Sequence, residues 1–172
     1  MLKSIRGFSL IELIIAIAIM AILTALAYPA FSTWRESAQY REAARNVVSH
    51  LRDARATAIS RSNPHRVTVE LDDRTMFFQA MNAAGDYVGV APEKTTILPN
   101  VVTLSSGSGA NAAGVPNCDN DINISIDFRP DGSVTLPDVA PYQICVLDAN
   151  GQVRFYVRMT SAATGRVEIT RQ

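Results

Sequence analysis

Residues 3–29 read KSIRGFSLIELIIAIAIMAILTALAYP. Lys3 and Arg6 precede a run of 21 residues, Phe8 to Tyr28, whose single charge is Glu12. At about 1.5 Å per residue, a helix of that length spans the roughly 30 Å hydrocarbon core of a bilayer. An acid held in lipid costs a few kcal/mol, less near the edge. Ten Leu and Ile residues between Leu10 and Leu26 each favour insertion by about 0.3–0.6 kcal/mol, so the apolar residues win. No cluster of positive charge follows closely before Arg35, so the positive-inside rule leaves the first residues in the cytoplasm and the rest outside. A cleaved secretory signal has a shorter apolar core and ends in a small-x-small site. A plain anchor accounts for the hydropathy but leaves Glu12 unexplained. Nothing else in the span ionises, so a partner for the acid has to come from another chain or from a new terminus.

The segment Arg6-Gly7-Phe8-Ser9-Leu10-Ile11-Glu12 resembles the prepilin leader of type IV pilins and type II secretion pseudopilins. The resemblance implies cleavage after Gly7 by a prepilin peptidase and N-methylation of the new terminal Phe8. It implies that Glu12, then fifth in the mature chain, pairs with the terminal amine of a neighbouring subunit. An acid poorly satisfied alone in lipid is well satisfied when a neighbour brings a cation. Pro29 also fits the family, and it removes a backbone hydrogen bond from the helix. The organisation expected is a leader over 1–7, a transmembrane half-helix over 8–30, an amphipathic half-helix over 31–62 and a β-rich head over 63–172. That is an α+β, pilin-like fold, a long N-terminal helix packed on an antiparallel sheet.

The residues beyond the membrane support that plan. Ala44, Val47, Leu51, Ala54 and Ala58 recur at three- and four-residue steps, the stripe of a core-facing helix. Arg35, Arg41, Arg45, Arg52 and Arg55 occupy its other faces among Glu36, Glu42 and Asp53. They read as a solvated face in preference to a nucleic-acid surface. Asn63-Pro64 stops the helix. Alternation then predicts strands over 66–71, 75–81, 95–98, 101–104, 122–128, 133–136, 142–147, 152–159 and 165–170. Asn150-Gly151 is the strongest hairpin signal. Ser105 to Pro116 reads as a Gly/Ser/Ala loop. Its loose Gly107-x-Gly109-x-x-Ala112 match to a dinucleotide fingerprint is discarded, because no helical pattern follows.

Sixteen Lys and Arg balance sixteen Asp and Glu, which excludes a polyelectrolyte binder as a whole. The distribution is uneven: a basic helix and a basic tail flank an acidic middle. Cys118 and Cys145 are the two cysteines, and both fall outside the membrane on this topology. In an oxidising compartment a disulfide between them is favoured over two buried thiols. His50 and His65 stand at no catalytic spacing and read as surface or helix-end residues. No nucleophile elbow, phosphate loop or zinc motif occurs, so neither an enzyme nor a cofactor is expected. Asp119, Asp121 and Asp127 do not have the spacing of a calcium loop, so no metal is expected.

Leu51-Arg52-Asp53-Ala54-Arg55-Ala56-Thr57-Ala58-Ile59, Ile126-Asp127-Phe128-Arg129-Pro130-Asp131-Gly132 and Gly165-Arg166-Val167 resemble segments of the GspH/FimT group of minor pilins and pseudopilins. The group includes the FimU minor pilins. The resemblance implies a structural subunit that helps initiate assembly and forms the tip of a type IV pilus. It implies other major and minor pilins or pseudopilins as partners, an inner-membrane span with a periplasmic head, and later residence in a filament. A pseudopilin of type II secretion is one alternative. Another is a FimT-like DNA-uptake pilin, in which a C-terminal G-R-x-R element binds DNA. Here Glu168 replaces the second arginine, so DNA contact by Arg154, Arg158, Arg166 and Arg171 is the weaker reading. Ile97 and Val101 are apolar head residues that could meet other subunits.

Overall fold

The computed structural model describes residues 9–89, 95–110, 116–118, 123–138 and 141–171. One helix, α1, runs over Leu10–Arg61. Ten strands follow: β1 His65–Glu70, β2 Thr75–Met81, β3 Tyr87–Gly89, β4 Thr95–Ile97, β5 Thr103–Ser108, β6 Ile124–Phe128, β7 Val134–Thr135, β8 Tyr142–Leu147, β9 Val153–Met159 and β10 Val167–Arg171. The chain divides into two compact units, Met1–Ser37 and Ala38–Gln172.

In the first unit α1 presents its apolar residues to the surroundings on every face. Leu10, Ile14, Ile17, Met20, Leu23 and Leu26 are all exposed. Its most apolar stretch has a mean hydropathy of 2.7, and it is the one described helix long and apolar enough to cross a membrane. The Thr24 hydroxyl donates to Met20 O at 2.8 Å, which satisfies the polar group within the helix, as a lipid-facing segment requires. The helix continues through Pro29.

In the second unit the expected stripe is the buried one. Ala44, Val47, Leu51, Ala54 and Ala58 are buried, joined by Tyr40, Ala43 and Val48. The helix ends in a Schellman motif: the Asn63 N–H reaches Ala58 O at 3.2 Å and Ser62 takes φ +50°. The Asn63 side chain then donates to Met81 O.

The strands form two antiparallel sheets, one more than the sequence pattern distinguishes. The first has the order β3-β2-β1-β6-β7, with β4 also pairing β2; the second has the order β10-β9-β8-β5. Val67, Phe78 and Ile126 from the first sheet and Leu104, Ile144 and Val157 from the second share one core cluster with the helix stripe. Three connections use one construction, a type I turn closed by a left-handed glycine. In each, the N–H of the first residue bonds the carbonyl of the fifth, and the glycine N–H bonds the carbonyl of the first: Asn82–Asp86, Arg129–Ser133 and Asp148–Gln152. Gly85, Gly132 and Gly151 have φ of +90°, +82° and +75°. The Asn150-Gly151 hairpin therefore forms, but with a five-residue loop.

The Gly/Ser run departs from its expected loop. Ser105 to Ser108 lie in β5, and the strand starts at Thr103 instead of Val101. Tertiary packing overrides composition here: the Ser105 hydroxyl donates to Cys118 O at 2.6 Å, and Ser106 is fully buried. Gly107 lies so close beneath the Asn117 carbonyl that a Cβ would collide with it.

Candidate functional site

Ser9 accepts the Glu12 N–H at 3.1 Å and the Leu13 N–H at 3.2 Å, which places Glu12 in the first turn of α1. Orphan N–H groups and the positive end of the helix dipole favour a carboxylate there. Glu12 is exposed, as are Ile11, Leu13 and Ile15 around it. Gly7 and Phe8 lie outside the described residues. Pro29 falls inside α1, and its side chain lies outside the described set.

Cys118 and Cys145 are joined in a disulfide. Cys145 belongs to β8, whose residues 142 to 146 are buried on both faces. One face meets the core. The other lies beneath the segment around Asn117, which Gln143 holds by donating to Gly109 O at 2.9 Å and Asn117 O at 2.8 Å. The disulfide and this side-chain amide secure the same segment.

The four C-terminal arginines do not converge. Cross-strand partners share a face: Glu168 pairs with Arg158 and Arg171 pairs with Phe155. Arg171 therefore lies on the opposite face of the sheet from Arg154 and Arg158. Arg154 is held by Asp148 at 2.7 Å, and Arg166 by Glu168 at 2.8 Å. Arg158 is half-buried opposite that same Glu168. Each cation thus faces an acid or a different direction, an arrangement that offers no phosphate track.

One of the helix arginines, Arg55, does not form the solvated face expected of it. Arg35, Arg41, Arg45 and Arg52 are exposed, Arg52 while also donating to Val167 O at 3.1 Å; Arg55 is half-buried and donates to Gly132 O at 3.1 Å. Gly165, at φ +55°, packs beside them: a Cβ there would lie 2.8 Å from Gly132 O and 3.1 Å from Arg55 Nε. The Val134 N–H also reaches Ala162 O at 2.7 Å. The Ala54-Arg55, Gly132 and Gly165 segments, separate in the chain, meet at one point.

Both histidines are buried, contrary to the surface reading. His50 sits on the helix with Nε2 2.6 Å from the Thr96 hydroxyl. His65 opens β1 with Nδ1 2.8 Å from Asn63 O and its ring 5.3 Å from that of Phe78. Of the acids considered for calcium, Asp127 forms a bidentate pair with Arg66 at 2.6 and 2.8 Å. Asp119 and Asp121 lie outside the described residues, as does Ala112 of the discarded fingerprint. Ile97 is highly exposed, whereas Val101 packs against the core.

Residues 2–28 match the family described as the prokaryotic N-terminal methylation motif. The fold of the chain is similar to that of the minor pseudopilin EpsH from the type II secretion system of Vibrio cholerae. The TM-score is 0.58 at 14% identity, over 78% of this chain and 95% of that one. It is also similar to the type IV minor pilin FimU of Pseudomonas aeruginosa strain PAO1, with a TM-score of 0.53 at 14% identity, over 81% of this chain and 92% of that one. This is the fold of a minor pilin or pseudopilin. No curated protein matches the chain. Within this pilin-like head, the knot of Arg55, Gly132 and Gly165 is what sequence reading missed as a site. Its signal lay in the three short segments, but nothing in their spacing showed that they touch.

Proposed function

We propose that the chain is a minor pilin or pseudopilin, a structural subunit that is processed at its leader and joins the tip of a pilus or pseudopilus. The observation that carries this reading is a methylation motif over residues 2–28 on a chain whose fold is that of minor pilins and pseudopilins. Cleavage after Gly7 frees the amine of Phe8, which is methylated, and Glu12 becomes the partner of a neighbour's terminal amine. The pairing removes an uncompensated charge from lipid, so assembly is favoured over the isolated inserted subunit. Lipid-facing residues of α1 then meet other pilin helices, and the head stands on the periplasmic side of the inner membrane. The partners are other major and minor pilins or pseudopilins and the prepilin peptidase.

The test is Glu12→Ala. Membrane insertion, read by carbonate extraction, is expected to persist, because losing an acid from an apolar span favours insertion. Recovery of the subunit in sheared filaments is expected to fall to background. Normal filament recovery would overturn this role for Glu12.

A further inference from the structure

Strand β10 is the outer edge of the second sheet. The carbonyl of Val167 points away from β9, because it accepts from Arg52 on the helix. In an antiparallel strand the N–H and C=O of alternate residues point the same way, so those of Ile169 face outward as well. Among the described residues no group answers them. Beside this edge a groove is lined by Arg45, Val48, Ser49, Arg52 and Asp53 of α1 and by Ile169 of β10. The Ile169 side chain is 40% exposed. Arg171 follows two residues later on the same face of the strand and is exposed.

We propose that this edge accepts an extended segment of a partner protein as an added strand, with an apolar residue between two acidic ones at alternate positions. Backbone pairing to Ile169 supplies register. The apolar side chain covers Ile169 and Val48, and the flanking carboxylates meet Arg52 and Arg45. Strand addition at an open sheet edge is a general mode of peptide recognition, in which backbone bonds give affinity and alternate side chains give specificity. The charge selects the occupant. Two copies of β10 pairing edge to edge would bring Arg45, Arg52 and Arg171 of each against those of the other, and opposed like charges destabilise a strand pair. The partner is therefore a different chain with acidic residues at those places. The proposal rests on reading the head as a subunit that meets other subunits. Its test probes the groove alone, whereas the Glu12 test reads filament assembly, so the two can fail separately.

The probe is the synthetic peptide fluorescein-TETVTET-amide, into which the full chain in detergent micelles is titrated. Binding is read by fluorescence anisotropy, and amide hydrogen exchange is followed by NMR. Saturable binding that slows exchange of the Ile169 amide is expected. A peptide with lysines in place of glutamates is expected not to bind. Arg45→Gln, which alters no backbone bond, is expected to weaken binding about tenfold, the scale of one lost charge-assisted hydrogen bond. Ile169→Pro, which removes the N–H from the edge, is expected to abolish it. Equal binding of the lysine peptide, or binding without protection of Ile169, would overturn the proposal. So would duplex DNA that displaces the peptide and loses its own binding in Arg45→Gln, since the groove would then be a polyanion surface.

Discussion

Gly165 and Gly151 share a left-handed backbone but sit in opposite surroundings. A methyl group at Gly151 would meet nothing within 4 Å, whereas one at Gly165 would press into the Gly132 carbonyl and the Arg55 guanidinium. Gly151→Ala is expected to cost about 1–2 kcal/mol, the backbone strain alone. Gly165→Ala adds an overpacking cost of about 1–3 kcal/mol. Urea unfolding of the two variants in parallel measures the difference, and equal midpoints would remove the packing role assigned to Gly165. Arg55 makes the same point from the helix side. Its chain position places it among charged residues on an amphipathic helix, and the charge pattern alone reads it as solvated. Only the fold shows that its guanidinium satisfies a backbone carbonyl 77 residues away.

Among the elements, the helix stripe was legible because burial on a helix repeats every three or four residues, and Ala44 through Ala58 keep that period without a break. Strands β1, β2, β6 and β8 were legible from alternation or apolar runs. β5 was not, because Ser105 and Ser106 are buried by contacts that sequence composition does not encode. The division into two sheets was equally hidden, since strand order depends on pairings between distant segments. The turns carry a pH response. The Asp148 carboxyl is held below its ordinary range, chiefly by the Gln152 N–H, with help from the Asn150 N–H and Arg154. Asp131 is lowered likewise by the Ser133 hydroxyl and N–H. A group whose folded pKa is depressed lends its stability above the unfolded pKa, about 3.9 for Asp, and loses it as the pH falls through the folded value. Stability is therefore expected to drop below about pH 4, and less steeply in Asp148→Asn, as thermal melts at pH 5, 4 and 3 would show. The disulfide acts on the element above β8. The cysteines are 27 residues apart, and opening a loop of that size costs about 3–4 kcal/mol on the chain-entropy estimate. Reduction is expected to lower the unfolding free energy by that amount. The Gln143 and Ser105 bonds should still order the segment, which amide exchange at Asn117 would report.

For the whole molecule, every buried core residue among the described ones lies at or beyond Tyr40, so the unit from Ala38 onward contains its own core. Expressed alone it is expected to be monomeric and to unfold in one cooperative step with coincident fluorescence and circular dichroism transitions. Two separate transitions would contradict the single shared core. The full chain is expected to need detergent, because its exposed apolar helix has no cover of its own. The knot at Arg55 has a consequence in time. Arg52 bonds the Val167 carbonyl of β10, 115 residues ahead of it. Contacts across such separations form late, since the chain must close a long loop before they contribute. Residues of β1, β2, β5, β6, β8 and β9 already share the core with the helix stripe before β10 docks. A product cut short before Gly165 leaves Arg52 without its acceptor and β9 without its outer neighbour, while Arg55 keeps the Gly132 carbonyl. Docking of β10 is therefore a late closing step, the latch that fastens the helix to the edge of the second sheet.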